Sequence, residues 1–163
     1  EPGQNGMDRV EFMLSANPGE SLKPLEKVAS GGEMSRIMLA FKAIAANADS
    51  IPTLIFDEID TGISGHIAAV VGEKMVSIAD NHQVLCVTHL PQIAALADVH
   101  FMVQKQDDGQ TTRTSLKRLE MEERYEYIAR MMSGMEDSKL AYEHARELIT
   151  RSEEIKQKRR KNK

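Results

Sequence analysis

Thr53-Leu54-Ile55-Phe56-Asp57-Glu58 is an apolar run that ends in two adjacent carboxylates. A short apolar run bounded by turn signals reads as a buried strand, and this one delivers Asp57 and Glu58 to its C-terminal end. Upstream lies Ser30-Gly31-Gly32-Glu33; downstream, Val84-Leu85-Cys86-Val87-Thr88-His89 is a second apolar run that delivers His89 in the same way. In an open, mostly parallel α/β sheet, ligands sit just outside the carboxyl ends of the strands. Both sets of polar groups are therefore expected at one crevice, whose chemistry suits phosphate and Mg²⁺.

The rest of the chain fits around these strands. Val10, Phe12 and Leu14 alternate with Arg9, Glu11 and Met13, which suggests a half-exposed strand before the Asn17-Pro18-Gly19 turn. Ser21 to Val28 reads as a connector. From Glu33, Ile37, Met38, Ala40, Phe41, Ile44 and Ala45 recur at helical spacing. A second helix is expected over Ile67 to Ala79, a buried strand over Gln83 to Thr88, and a short helix over Pro91 to Ala97. Phe101 to Gln106 and Thr112 to Leu119 flank Asp107-Asp108-Gly109-Gln110, where Asp-Gly signals a hairpin. Two helices, about Glu122 to Met132 and Ser138 to Glu154, follow. The basic stretch Lys156 to Lys163 could screen phosphates, but reads more simply as a disordered tail, as terminal charge runs commonly are.

With 163 residues and 41% hydrophobic content the chain is long enough for one domain with a core. The 21 basic and 25 acidic residues leave a net charge of −4, so no global electrostatic footprint for nucleic acid exists and any DNA contact must be local. Cys86 stands alone inside an apolar run, which excludes a disulfide framework and suits a reducing cytoplasm. It reads as a small core hydrophobe, since nothing basic nearby in sequence suggests an activated thiolate. No run approaches the roughly 20 apolar residues of a membrane span, no signal peptide is visible, and no Cys/His cluster has zinc spacing. The start at Glu1, in a Gly- and Asn-containing stretch, is what we expect of a fragment of a longer protein.

Each motif has a plainer alternative. Ser30 and Glu33 form a capping box, but that alone does not require Gly31 and Gly32, which are poor helix formers and let a phosphate approach the N–H groups at a helix start. Asp57 and Glu58 alone could be an ordinary acidic strand end. His89 alone could be a satisfied histidine at a strand terminus. Arg36 lies one turn beyond Gly32 and could reach a phosphate, but reads more simply as an exposed helix arginine. Phosphoryl transfer, however, needs a carboxylate to hold Mg²⁺ and its waters, and a second group to orient or deprotonate the attacking water.

The wording of these motifs resembles the SMC-like branch of the ABC ATPases. Ala29-Ser30-Gly31-Gly32-Glu33 is similar to the signature loop, Leu54 to Glu58 to the Walker B strand with its catalytic glutamate, and His89 to the switch histidine. Asn17 to Glu20, Lys23-Pro24-Leu25, Ala29 to Arg36, Phe56 to Gly65 and Val87 to Ile93 resemble the C-terminal half of the ATPase head in the RecN family of bacterial DNA repair proteins. The likeness runs from about Val10 to Lys105 and more loosely onward. It implies an α/β, ABC-type P-loop NTPase half-domain over residues 1–155, with a mostly parallel sheet flanked by helices and a C-terminal hairpin and helices.

The resemblance also implies roles. Asp57 would hold Mg²⁺, directly or through a water; Glu58 would activate the attacking water; His89 would sense the γ-phosphate. Ser30, Gly31, Gly32 and Glu33 would close on the ATP bound to the opposite head of a homodimer. Asp60, Thr61, Gly62, Ile63 and Ser64 would form the D-loop across that interface, although Ser64 stands where many ABC proteins have aspartate. ATP, Mg²⁺, DNA and a cytoplasmic, nucleoid-associated setting follow from the same likeness.

No Gly-x-x-x-x-Gly-Lys-Ser/Thr occurs in the chain, so the loop that cradles the α- and β-phosphates is absent. In the family, Walker A lies in the N-terminal half, ahead of a coiled coil. The chain is thus expected to need that half to make a Mg²⁺-dependent ATPase, and to be inactive alone. Two alternatives stand beside this reading. One is an ABC transporter nucleotide-binding subunit, disfavoured because Ile59-Asp60-Thr61 replaces the Pro-Thr-Ser usual after Glu58. The other is a non-hydrolysing partner-binding module, disfavoured by the intact Asp57-Glu58 pair.

Overall fold

The computed structural model describes residues 6–8, 10–15, 18–28, 30–45, 51–107, 111–135 and 138–161. At its centre, β3 (Thr53–Phe56) and β4 (Gln83–Cys86) pair in parallel, with Leu54 opposite Val84 and Phe56 opposite Cys86. The ladder runs one bond further, from Val87 N–H to the Phe56 carbonyl at 3.0 Å. Side chains alternate across a strand, so Leu54, Phe56, Val84 and Cys86 face one way. Their partners are α2 (Gly31–Ala45), through Leu39, and α3 (Gly65–Ala79), through Ala68, Val71, Met75 and Ile78. Those four positions on α3 follow helical spacing and form one apolar stripe. Gly72 lies on the same face, where a Cβ would run into the Leu96 side chain, so α3 and the segment after α4 approach closely.

The opposite face of the parallel pair is uncovered. Ile55, Leu85 and Val87 are 70%, 47% and 60% exposed. Two antiparallel pairs complete the sheets among the described residues: β1 (Met13–Leu14) with β2 (Lys23–Pro24), and β5 (Phe101–Asp107) with β6 (Thr112–Arg118). The expected parallel sheet is thus represented here by one pair, within an α/β arrangement. A four-residue helix, α1 (Leu25–Val28), occupies part of the anticipated connector.

A second core lies under α5 (Met121–Ser133) and α6 (Lys139–Lys161), where Ile128, Ala129, Ala141, Ala145 and Ile149 pack with Ala94 and Ala95. The small helix α4 (Pro91–Ala94) joins the two cores, giving Ile93 to the first and Ala94 to the second. At the start of α5, Glu123 accepts the Glu120 N–H at 3.0 Å, and its carboxyl is held below the usual range by Lys117 and by that N–H. Gly134 ends α5 with φ 66°, the left-handed cap that glycine accommodates.

Most elements appear where the sequence places them, with shifted ends. Helices α2 and α3 begin at Gly31 and Gly65, ahead of the anticipated Glu33 and Ile67. Strand β4 stops at Cys86, because Thr88 turns away to bind Asp60, and α4 stops at Ala94. Arg9, Asn17 and the hairpin residues Asp108-Gly109-Gln110 lie outside the described residues.

The basic tail is the main correction. From Lys156 onward the chain was expected to be disordered, yet α6 continues to Lys161. Ala141, Ala145, Ile149, Ser152 and Lys156 fall on one helical face and are all buried. The Lys156 ammonium donates to Asp98 Oδ1 at 3.0 Å and Glu153 Oε1 at 2.8 Å. Ser152 Oγ donates to the Ala95 carbonyl at 2.9 Å. One turn on, Arg159 reaches Ser77 Oγ at 2.9 Å and Asp80 Oδ2 at 3.1 Å, tying α6 to the end of α3. Both carboxylate partners are exposed, so the lysine contributes through the burial of its aliphatic stem and the bonds of its ammonium rather than by neutralising a buried charge. Replacing Lys156 with Ala is therefore expected to destabilise the protein by about 1–3 kcal/mol, read as a lower urea midpoint; a shift within error would mean that the last turns contribute nothing to the fold.

Candidate functional site

The strand-end carboxylates sit where β3 leaves the sheet. Asp57 and Glu58 are exposed, and the chain turns at once, with Thr61 N–H closing on the Glu58 carbonyl at 3.1 Å. Glu58 has φ 55°, the only non-glycine residue with positive φ among those described. For a side chain of this size that conformation costs about 1–3 kcal/mol and persists only where neighbours hold it. The neighbours are identifiable: Asp57 Oδ1 accepts the Glu58 N–H at 2.9 Å, and Ser35 Oγ of α2 donates to the Asp57 carbonyl at 2.9 Å.

Arg36 completes this grip. Its Nη1 donates to the carbonyls of Ile59 at 3.1 Å and Thr61 at 2.9 Å. The expectation of an exposed helix arginine is therefore corrected: the side chain is half-buried and fastens α2 to the turn after β3.

The Ser30–Glu33 capping box is present. Glu33 Oε2 accepts the Ser30 N–H at 2.8 Å and the Ser30 hydroxyl at 3.0 Å. The Ser30 N–H and hydroxyl hold the Glu33 carboxyl below its ordinary value. The two glycines have a reason within the chain. A Cβ on Gly31 would lie 2.5 Å from Glu58 Oε2, and one on Gly32 would lie 2.8 Å from the Glu58 carbonyl oxygen. The start of α2 and the carboxylate turn are thus mated in one molecule, which the sequence reading, centred on an approaching phosphate, did not include.

The third element joins through Asp60. This residue is only 4% exposed. Its Oδ2 accepts the Thr88 hydroxyl at 2.6 Å and the His89 N–H at 2.7 Å, and His89 Nδ1 stands 3.0 Å from the same oxygen. Burial pushes the Asp60 pKa up, but Thr88 and His89 outweigh it and hold the carboxyl below its ordinary value. Thr88 Oγ1 also accepts the Leu90 N–H at 3.0 Å, fixing the turn into α4. The His89 ring itself is 72% exposed. Ser64 serves as the N-cap of α3, and Gly62, with φ 73°, turns the chain towards it. Cys86, half-buried, has its thiol pushed up to about 12 by burial and by the charges of Asp60 and Asp57, so it is inert at neutral pH.

Two open carboxylates, a histidine and a capped helix start therefore line one rim. A Mg²⁺ ion takes only one or two carboxylates and keeps waters and phosphate oxygens in its remaining positions, so a rim with two exposed carboxylates is chemically compatible with one. Among the described residues no cluster of three or more His, Cys, Asp or Glu side chains could cage a metal by itself. No described helix is long and apolar enough to cross a membrane.

No family model matches the chain. Among solved structures, one chain from work on ATP-driven dimerization and DNA-stimulated activation of SMC ATPases superimposes with a TM-score of 0.50 at 21% identity, covering 74% of this chain and 80% of that one. The likeness extends to the fold, an α/β arrangement shared over most of this chain. Among curated proteins, DNA repair protein RecN of Halalkalibacterium halodurans is 51% identical over 153 residues, or 94% of this chain and 27% of that protein. RecN of Bacillus subtilis is 46% identical over 154 residues, 94% of this chain and 27% of its own length. RecN of Deinococcus radiodurans is 50% identical over 149 residues, 91% and 26% respectively. The chain is thus similar over more than nine-tenths of its own length to these RecN proteins, matching their C-terminal part, and spans about a quarter of the length of the relatives it matches.

The lowered Asp60 pKa fixes the sign of one pH effect. A carboxylate stabilised in the folded state adds stability that is complete above the unfolded pKa, about 4, and is lost as pH falls through the folded value. Asp60→Asn is expected to cost about 1–3 kcal/mol at pH 7, with the gap to wild type closing below about pH 4. Denaturation midpoints of both proteins across pH check this; a gap independent of pH would contradict the charged role.

Proposed function

We propose that the chain is the C-terminal half of the ATPase head of a RecN-type DNA double-strand-break repair protein, residues 1–155 carrying the signature loop, Walker B strand, D-loop and switch histidine. The observation that supports this most is the convergence of α2, the Asp57-Glu58 turn and His89 on one rim, through contacts from Ser35, Arg36 and Asp60. The uncovered face of β3 and β4 is consistent with it, because parallel strands are buried on both sides in complete α/β domains. The N-terminal half of the same protein would add strands to make the mostly parallel sheet, and would bring the Walker A loop.

In this reading Glu58 accepts a proton from, or orients, the water that attacks the γ-phosphate. Its left-handed backbone turns the carboxylate out of the strand towards that water. Asp57 would hold a Mg²⁺ ion, directly or through a water, and the ion would supply positive charge to offset that of the phosphates. His89 approaches the γ-phosphate from the end of β4. Ser30 and the first N–H groups of α2 face the nucleotide of a second head, because small residues at a positive helix end admit a phosphate. Head closure on two nucleotides would thereby be coupled to DNA held elsewhere in the complete protein, in the cytoplasm at the nucleoid. A transporter subunit or a non-hydrolysing module accounts less well for Ile59-Asp60-Thr61 and for the retained carboxylate pair.

Glu58→Gln in the complete protein is expected to slow hydrolysis by at least ~100-fold while ATP still binds, since the shape is kept and the base is lost. Near-normal turnover would sink the assignment. The chain by itself, lacking the phosphate loop, is expected to bind ATP no better than about millimolar; calorimetry giving micromolar affinity would overturn the half-site reading, and restored ATPase activity on co-expression with the Walker A half would support it.

A further inference from the structure

We propose that Asp60 is the positioning residue for His89, setting the tautomer and direction of its imidazole, rather than a contact made across a dimer. In the sequence Asp60 stands in the segment resembling a D-loop, where an exposed side chain would reach another head. The geometry points inward. Asp60 is 4% exposed, and its Oδ2 already meets the Thr88 hydroxyl at 2.6 Å, the His89 N–H at 2.7 Å and His89 Nδ1 at 3.0 Å. An oxygen with three donors within that distance has little capacity left for a further partner.

The arrangement has a definite chemical consequence. The tautomer of a histidine is set by the bond its other nitrogen makes. A carboxylate oxygen 3.0 Å from Nδ1 favours a proton there, which leaves Nε2 with its lone pair on a ring that is 72% exposed to the crevice. The two remaining bonds, from Thr88 and the His89 N–H, hold the backbone that carries the ring. The carboxylate therefore fixes both the base of the imidazole and its protonated edge, and links the turn after β3 to the end of β4. Movement of the Glu58 turn would carry through Ile59 and Asp60 to His89, so the catalytic glutamate and the imidazole would shift as one. This last consequence rests on the ATPase reading; the tautomer does not.

The test uses the complete protein, labelled with ¹⁵N-histidine, together with Asp60→Asn, Asp60→Ala and His89→Gln variants. Solid-state NMR, with the His89 signal identified by its loss in His89→Gln, is expected to show the Nδ1–H form in wild type and a shift towards Nε2–H in Asp60→Ala. In steady-state ATPase measurements both Asp60 variants are expected to lower kcat by about 10–100-fold, the range for losing an orienting partner, with KM for ATP within about twofold. In a His89→Gln background the Asp60 substitutions are expected to cost less than about threefold more, because the two residues act as a unit. Asp60→Asn preserves shape and decides the matter if Asp60→Ala does not fold. An Nε2–H ring in wild type, or losses from Asp60 and His89 that multiply, would overturn the proposal. Absence of ATP turnover in wild type would defeat the proposed function alone, and the NMR result would still decide the role of Asp60.

Discussion

A side chain on Gly32 would place its Cβ 2.8 Å from the Glu58 carbonyl oxygen and 3.1 Å from Thr61 Cβ, and the geometry of the rim depends on that close approach. With the start of α2 seated on the turn, Ser35 and Arg36 come within hydrogen-bonding reach of three backbone carbonyls, those of Asp57, Ile59 and Thr61. A typical hydrogen bond contributes about 0.5–1.5 kcal/mol net. Three together are of the same order as the roughly 1–3 kcal/mol needed to hold Glu58 at positive φ. The left-handed glutamate is thus sustained by the helix docked against it. Lifting α2 from the turn would release Glu58 to an ordinary backbone conformation and move its carboxylate.

Periodicity made the scaffold legible. The apolar run ending at Phe56, the stripe on α3 and the run through Val84 and Cys86 all lie where side-chain alternation or helical spacing puts them. The strand-end groups were legible for the same reason, since a buried strand must surface somewhere and its polar residues mark the place. Asp60 was harder. It follows the strand in a turn with no period, and nothing local distinguishes a carboxylate that folds inward onto Thr88 from one that points to a neighbour. Only the pairing of β3 with β4, which brings residues 28 and 29 positions apart into contact, decides its direction.

Lys156 illustrates a different blindness. Composition marks Lys156 to Lys163 as a charge run, and charge runs at chain ends are usually solvated. Spacing says otherwise, for Lys156 follows Ala141, Ala145, Ile149 and Ser152 on one helical face. A long aliphatic stem lets lysine continue an apolar stripe while its ammonium finds acceptors at the edge. Here the acceptors are Asp98, Glu153 and the Ala97 carbonyl, the last at 3.4 Å. That carbonyl also receives Arg124 Nη2 at 2.8 Å. Burial of a cation thereby marks where α5 and α6 meet the segment after α4.

The two faces of the parallel pair are held by different forces, and this separation has a structural consequence. The inner face is closed by apolar packing on α2 and α3, while Ile55, Leu85 and Val87 lie open on the other. Strand ends splay easily when one face lacks a partner, because β-pairing alone is weak. The C-terminal ends of β3 and β4 do not depend on the open face. Asp60 bridges them with charge-assisted bonds, which are roughly twice as strong as neutral ones, and Arg36 and Ser35 brace them from α2. The polar rim is therefore fixed from within the chain, whereas one face of the parallel pair stays open. A partner segment seated on Ile55, Leu85 and Val87 would add apolar burial without having to rebuild the positions of Asp57, Glu58 or His89.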